Sequence, residues 1–344
     1  MDTSTRTDGV SEHLERGTIL HVNGDLDGAC REYQAAIDVD GTKAVAWNNL
    51  GFARAQQGQL DEAVRLYERA LALDPERSMA HANLGLAFAA KGDMAAAFER
   101  LRRAVEVDPL NVLALGNLAR LLLAGGELDG AEQAFRAALR VAPRDPDLRV
   151  ALGTTLAARR RLREAEEEIR AALDDAPEHA RAWAQLGVVL MVGHDLGSAC
   201  EALRRSLSLA PEDASTRHHL ATALLARGQR VAAEQELNRI LGFEPQYGPA
   251  LVDLAVLALA AGRGDAALEL LDRTRPSERG PRVQFYQAMA LRAVGRREEA
   301  DAALQALTGD RGTKYGRLAA TELEREAQPV HHPPIGVRPH CQNP

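Results

Sequence analysis

The sequence is poor in aromatic residues, has few cysteines and contains no long apolar run. Aromatic side chains make up 4% of its 344 residues, and no stretch alternates β-branched with polar residues as an exposed strand would. Alanine-rich stretches predominate instead, and these favour helices over sheets. No run of about 18 apolar residues occurs, which a helix crossing a bilayer needs. Membrane insertion is therefore not expected.

The cysteines and the charge balance argue against two further classes of protein. Three cysteines lie far apart in the chain, at Cys30, Cys200 and Cys341. This odd and sparse set argues against a disulfide framework and fits a reducing compartment. The net charge of −7 is opposite in sign to that of a typical nucleic-acid binder. We expect no nucleic-acid partner.

The beginning of the chain and its basic residues indicate where the protein occurs. Residues 1–9 are polar and lack the apolar segment of a secretory signal. A cytoplasmic location is therefore expected. Arginine supplies nearly all the positive charge, and we interpret this as the base-composition bias of a bacterial genome.

The sequence also lacks the common catalytic motifs. No Walker-type phosphate loop, H-E-x-x-H, nucleophile elbow or C-x-x-C pair occurs. The glycine-containing segment 262–265 follows no strand, so it does not predict a dinucleotide site. His218 and His219 are adjacent on one helix and point about 100° apart, which is unsuited to chelating one metal ion. We predict no enzymatic activity and no cofactor.

What the sequence does contain is a repeat of 34 residues. Alanine recurs at this spacing without interruption, at Ala29, Ala63, Ala97, Ala131, Ala165, Ala199, Ala233 and Ala267. A Gly or Ala stands twelve residues before each of these alanines, and a Pro stands twelve residues after most of them. A ninth copy follows one residue short. Repetition at this period is typical of stacked helix pairs.

Each small residue has a steric reason. The Gly or Ala in the first helix and the Ala in the second mark the point where two antiparallel helices cross closely. A glycine such as Gly58 ends the first helix in a left-handed conformation, and a proline such as Pro75 ends the second. Trp47, Leu50 and Gly51 have the spacing of an amphipathic helix.

This pattern of W-x₂-L-G, then A, F/Y, A and P, resembles the tetratricopeptide repeat (TPR). The resemblance covers about Val10 to Leu307, with departures at Arg160 and His194, which replace the glycine between the helices. It implies an all-α fold, a right-handed superhelical solenoid of about nine helix–turn–helix repeats. The apolar face of Thr313–Ala327 adds a C-terminal capping helix. The expected domains are a polar leader at 1–9, the TPR array at 10–307, the capping helix at 308–327 and a disordered Pro/His tail at 328–344.

Binding information in such an array lies on the first helices. Counting residue 44 as position 1, positions 2, 5, 6, 9, 12 and 13 share the face that forms the concave groove in this family. Position 6 is Asn49, Asn83 and Asn117 in three successive repeats, and Gln185 two repeats later. The series resembles the asparagine ladder of the TPR superhelix of O-linked N-acetylglucosamine transferase. The alternative is that Asn simply belongs to the TPR consensus.

The other groove candidates are apolar or charged. Phe52 and Leu86 are two of the apolar ones, and Arg120 and Arg181 are two of the few charged ones. Such a floor predicts an extended or helical ligand with apolar anchors. The Lys and Asn of the carboxylate clamp in chaperone-binding TPR modules are absent from positions 5 and 9.

The tail offers a separate hypothesis. Its histidines and cysteine are low-weight candidates for a Zn²⁺ or Cu(I) site, namely His331, His332, His340 and Cys341. A solvated tail, or a tail that is itself a ligand, are the alternatives.

The function predicted from the sequence is a protein–protein interaction scaffold that binds a peptide or protein segment in the groove. The alternative is a carrier or adaptor whose tail binds metal, is modified or is recognised by a partner enzyme. Self-association is a further option. The repeats occupy nearly all residues, so a catalytic domain would have to belong to a partner.

Overall fold

The computed structural model of the protein describes residues 3–310 and 312–327. Over these residues it contains nineteen α-helices, a 3-10 turn at Pro276–Glu278 and no strand. The helices are α1 (Thr3–Val22), α2 (Leu26–Val39), α3 (Ala44–Gln56), α4 (Leu60–Leu73), α5 (Ser78–Ala90), α6 (Met94–Val107), α7 (Val112–Ala124), α8 (Leu128–Val141), α9 (Pro146–Ala158), α10 (Leu162–Asp175), α11 (Ala180–Val192), α12 (Leu196–Leu209), α13 (Ala214–Ala226), α14 (Arg230–Phe243), α15 (Gly248–Ala260), α16 (Gly264–Asp272), α17 (Pro281–Ala293), α18 (Arg297–Thr308) and α19 (Lys314–Ala327). The predicted all-α repeat array is confirmed.

The chain divides into an N-terminal unit, Met1–Asp195, and a C-terminal unit, Leu196–Pro344. Within the N-terminal unit each first helix contacts the next one, from α3 through α5, α7 and α9 to α11. Within the C-terminal unit the same holds for α15, α17 and α19. The first helices of each unit therefore form one continuous face, which we call its first-helix face.

The two helices of a repeat cross where the sequence predicted small residues. Ala63 and Ala70 are fully buried, and a Cβ atom added to Gly51 would lie 2.8 Å from the Cε1 atom of Tyr67. Tyr67 is 1% exposed, and this burial raises the pKa of its hydroxyl. Because real Cβ atoms do not approach this closely, only glycine fits against the tyrosine ring.

The turns between paired helices need a left-handed residue. Seven glycines fill this place with positive φ, Gly58 among them at +79°. Arg160 and His194 fill it in two repeats, both at φ +64°, and no other non-glycine residue of the described chain has positive φ. The turn geometry is thus kept where the sequence departs from the family pattern, at a cost in backbone strain.

The outer face of α1 differs from the corresponding face of the helices that follow. Positions 3, 7 and 10 of α3 are Ala46, Leu50 and Ala53, all buried against the preceding repeat. In α1 the same positions are the exposed residues Glu12, Arg16 and Ile19, and Glu12 pairs with Arg16. Helix α1 begins at Thr3, so residues 3–9 of the expected leader are helical.

The eighth repeat is irregular. Its second helix, α16, has nine residues, whereas the second helix of the preceding repeat, α14, has fourteen. The segment after Asp272 instead runs through the 3-10 turn before α17 begins at Pro281. Thr274, which replaces the late alanine of the repeat, lies in this segment and is 2% exposed.

Candidate functional site

On the first-helix face of the N-terminal unit, three asparagines form a hydrogen-bonded chain. The Nδ2 atom of Asn83 donates to Oδ1 of Asn48 at 3.1 Å, and Nδ2 of Asn48 donates to Oδ1 of Asn49 at 3.2 Å. Asn48 and Asn83 are buried, at 4% and 6% exposure. Two of the predicted groove residues, Asn49 and Asn83, are thus joined through Asn48, a position-5 residue that the sequence did not single out as a site residue.

The other two carboxamides of the predicted series lie outside this chain. Nδ2 of Asn117 donates to the carbonyl oxygen of Leu113 in its own helix at 2.8 Å, and Oδ1 of Asn117 accepts from Arg120 at 3.3 Å. Gln185 is partly exposed and makes no side-chain hydrogen bond within the described chain. The position-5 residues of the preceding repeats, which correspond to Asn48, are Ala82 and Val150. Neither has a polar side chain that could bond to Asn117 or Gln185.

Apolar side chains flank the asparagine chain on the same face. Phe52, Met79 and Leu113 are 41%, 43% and 39% exposed. The ring of Phe52 stacks on the imidazole of His21, with centroids 5.0 Å apart and planes 6° from parallel. Leu86 is partly buried, whereas Arg120 and Arg181 are exposed. The face therefore combines fixed carboxamides with accessible apolar surface.

A charged counterpart in the C-terminal unit joins α13 to the first-helix face. Oδ2 of Asp253 lies 2.8 Å from Nε2 of His218, and its Oδ1 accepts from Arg282 at 2.5 Å. Burial raises the pKa of Asp253, but the hydrogen bonds and charges of His218 and Arg282 outweigh it and bring the pKa below its usual value. Burial lowers the pKa of the neighbouring His219. The ring centroids of His218 and His219 lie 6.5 Å apart.

The two side-chain contacts between successive repeats share one spacing that the sequence analysis missed. Asn48 and Asn83 are 35 residues apart, and so are His218 and Asp253. In both cases a position-5 side chain bonds to position 6 of the next repeat. The available signal was a polar residue at position 5 followed by another 35 residues later.

Comparison with known proteins identifies the repeat. The family model described as the C-terminal domain of cilia and flagella-associated protein 70, a TPR domain, matches residues 3–219. Two tetratricopeptide repeat models match residues 214–239 and 240–294. The chain belongs to the TPR family. Among curated proteins, none matches it.

Solved structures share the fold of this TPR protein. A chain of the APC/C hetero-tetramer Cut9–Hcn1 is 21% identical, with a TM-score of 0.59 over 68% of this chain and 46% of that chain. The type IV pilus biogenesis factor PilW is 18% identical, with a TM-score of 0.58 over 61% of this chain and 98% of its own. A TPR protein from Parabacteroides merdae ATCC 43184 is 18% identical, with a TM-score of 0.54 over 68% of this chain and 93% of its own. At these identities the likeness establishes the fold.

Besides packing between helices, the side chain at position 4 of the repeat contacts a backbone carbonyl oxygen. The Nε1 atom of Trp47 donates to the carbonyl oxygen of Gly41, and Nε1 of Trp183 donates to that of Pro177, both at 2.9 Å. His81 contacts the carbonyl oxygen of Pro75 at 2.9 Å through Nε2. Arg149 and Arg217 do the same with Pro143 and Pro211. In these five repeats the side chain at position 4 thus satisfies the carbonyl six residues upstream, where the preceding repeat ends.

Two further expectations concern metals and membranes. Among residues 3–310 and 312–327, no group of three His, Cys, Asp or Glu side chains is placed to hold a metal ion. The low-weight candidates His331, His332, His340 and Cys341 lie outside the described residues, so the metal site in the tail stays a prediction. None of the helices described is long and apolar enough to cross a membrane.

Proposed function

We propose that the first-helix face of the N-terminal unit binds an extended segment of a partner protein. The observation that carries the proposal is the asparagine chain, in which the partly exposed Asn49 is bonded to the buried Asn48 and, through it, to Asn83. Accessible Phe52, Met79 and Leu113 lie on the same face. Carboxamides both donate and accept, so they suit the backbone of a peptide whatever its side chains. The exposed apolar groups suit its side chains.

The polar part of this surface is held in place before a ligand arrives. The bond between Asn48 and Asn83 links α3 to α5, and the bond to Asn49 orients its carboxamide. Asn49 keeps both N–H groups of its side chain without a partner in the described chain. Groups that are already oriented lose little conformational entropy on binding. Asn49 is therefore the residue best suited to donate to a peptide carbonyl.

The apolar part supplies anchoring surface. Phe52 is a large aromatic ring that stays 41% exposed while His21 stacks against one of its faces. Aromatic side chains of this kind contribute most of the affinity in many interfaces. We expect Phe52 to contribute more binding free energy than either Met79 or Leu113.

The test is selection of peptides from a random display library on the immobilised full chain, followed by fluorescence anisotropy with the selected peptide. Phe52→Ala is expected to weaken binding at least tenfold, which corresponds to about 1.4 kcal/mol. Asn49→Ala is expected to cost about 0.5–1.5 kcal/mol. Met94, 51% exposed at the start of a second helix, provides the matched control.

Met94→Ala removes a similar exposed side chain from another face and should leave the affinity unchanged. The proposal fails if Phe52→Ala and Met94→Ala have the same effect. Far-UV circular dichroism of each variant shows whether the fold is kept.

A further inference from the structure

The irregular eighth repeat leaves a cavity of about 670 Å³ within the C-terminal unit. Its walls come from the beginnings of α15, α17 and α19 and from the segment between α16 and α17. The lining residues used below are Pro249, Val252, Glu278, Arg282, Val283 and Tyr315. A volume of this size is typical of binding pockets. We name it the α15–α17–α19 pocket.

The short helix α16 explains why the pocket exists. Where a regular repeat continues its second helix, this chain turns away after Asp272 and closes one side of the cavity with the 3-10 turn. The side chain of Arg279 fixes that segment, since its guanidinium donates to the carbonyl oxygens of Thr274 at 3.2 Å and Asp272 at 2.8 Å. The segment that forms this wall is therefore held in place by hydrogen bonds.

Glycine at position 1 of the same repeat brings a carboxylate to the pocket. A Cβ atom at Gly248 would overlap Oε2 of Glu278, so the carboxylate lies directly against the start of α15. Position 1 is a residue with a side chain in α3, α5, α7, α9, α11 and α13. This placement of a carboxylate is thus specific to the irregular repeat.

Most of the remaining wall is apolar and already packed. Val252 and Val283 are each 4% exposed. The ring of Tyr315 is supported from behind by Phe285 and Tyr286, with centroid distances of 5.8 Å and 6.2 Å. An apolar side chain entering the pocket would meet a preformed surface, which lowers the entropic cost of binding.

The charged residues near the pocket indicate which groups can stand next to the apolar side chain in a ligand. Arg282 uses one nitrogen to bond Asp253, and its other N–H groups donate to no described residue. Lys314 does not line the pocket itself but precedes the lining residue Tyr315, with its Nζ 5.7 Å from the centroid of that ring, and it forms no ion pair with the described residues. These two cations suit an acidic group, while Glu278 can accept from a backbone N–H.

We propose that the α15–α17–α19 pocket binds an internal segment of a partner protein in which an apolar side chain stands next to an Asp or Glu. The apolar side chain fills the cavity, the acidic side chain pairs with Arg282 and Lys314, and a backbone N–H of the segment donates to Glu278. This proposal does not rest on the site proposed for the first-helix face of the N-terminal unit.

The test is a display library of random peptides fused through their C-termini, selected on the full chain. Peptides that also bind Pro249→Trp are removed, because a tryptophan at this exposed lining position fills the pocket. Ser215→Trp is the matched control, since Ser215 is exposed at the same repeat position of α13 but lines no part of the pocket. Circular dichroism shows that both variants remain folded.

The expected result is enrichment of peptides with an apolar residue beside Asp or Glu. A selected peptide, synthesised with an amidated C-terminus, should bind at least tenfold more weakly to Pro249→Trp and several-fold more weakly to Lys314→Glu. Ser215→Trp and Phe52→Ala should leave its affinity unchanged. A loss caused by Phe52→Ala would place the peptide on the N-terminal unit and overturn this proposal alone.

Four other outcomes would also overturn the proposal. One is that the selected peptides lack acidic residues. Another is that binding requires a free C-terminal carboxylate. If peptides bind only after residues 328–344 are removed, the occupant is this chain's own C-terminal segment. If Pro249→Trp abolishes a concentration-dependent dimer, the occupant is a second copy.

Discussion

At the scale of single residues, the turn at Arg160 requires a left-handed backbone conformation, which is unfavourable for arginine because it has a Cβ atom. Its φ of +64° places a side chain in the region that glycine occupies in seven other turns of the described chain. The left-handed conformation costs a residue with a Cβ atom roughly 1–2 kcal/mol. The turn is retained because the helices on either side of it are packed.

The first prediction follows from this strain. Arg160→Gly should raise the free energy of unfolding by about 0.5–1 kcal/mol, because the relief of strain exceeds the extra entropy of glycine in the unfolded chain. Urea denaturation followed by circular dichroism measures the change. Arg163→Gly, at an exposed position of α10, should instead lower the stability by about 0.5–1 kcal/mol. Equal effects of the two substitutions would rule out strain at Arg160.

At the scale of helices, the side chain at position 4 connects the end of one repeat to the beginning of the next. His81 does this while 5% exposed, with Nε2 at 2.9 Å from the carbonyl oxygen of Pro75. Burial lowers the pKa of His81, although the contact with Pro75 opposes the shift. The neutral imidazole is thus the form that fits the folded chain.

A pH dependence of stability is the second prediction. In the unfolded chain His81 titrates near pH 6.5, so below that pH the unfolded state binds more protons than the folded state. Stability should therefore decrease as the pH falls from about 6.5 towards the lowered pKa, by at most about 1.4 kcal/mol per pH unit for each such histidine. His219 contributes in the same direction.

His81→Trp separates the two contributions. Tryptophan is the side chain at this position in α3 and α11 and keeps a donor for the carbonyl oxygen. The variant should lose part of the decrease in stability between pH 7 and pH 5, measured by urea denaturation at each pH. An unchanged pH dependence would show that His81 does not carry it.

The same helices show which features could be predicted from the sequence. The spacing of alanine, glycine and proline gives the helix pairs and their crossings because steric exclusion acts within one repeat. Asn83 was recognised as a groove residue, but its hydrogen bond to Asn48 in the preceding repeat was not predicted. Contacts between repeats require the register of two helices, which a repeat position alone does not supply.

The pocket in the C-terminal unit could not be predicted for a related reason. The sequence analysis showed that the ninth repeat comes one residue early. It did not show that α16 ends at Asp272 or that Glu278 reaches Gly248. A departure from the repeat pattern shows where the structure is irregular. The shape of the resulting pocket depends on packing in three dimensions.

At the scale of the whole molecule, the division into two units predicts unfolding that is not two-state. Repeats contact mainly their neighbours, so stability is a sum of local terms. Both tryptophans, Trp47 and Trp183, belong to the N-terminal unit. Tryptophan fluorescence therefore reports on that unit, whereas far-UV circular dichroism reports on all helices.

Gly51→Ala makes this third prediction specific. The added methyl group overlaps the Tyr67 ring and should destabilise its surroundings by about 1–3 kcal/mol. The urea midpoint from fluorescence should shift to lower concentration, with a smaller shift in the midpoint from circular dichroism. Coincident transitions, shifting together, would show that the chain unfolds as one cooperative unit.

The ion pair on the outer face of α1 has a consequence for contacts with other molecules. A repeat array that exposes an apolar packing surface at its end can associate head to tail with further molecules. Head-to-tail association that does not close into a ring produces filaments. In α1 the positions that join repeats elsewhere hold the ion pair of Glu12 and Arg16. Covering this pair with another molecule would remove two charges from water at considerable cost. The outer face of α1 is therefore less suited than that of α3 to packing against a further helix pair.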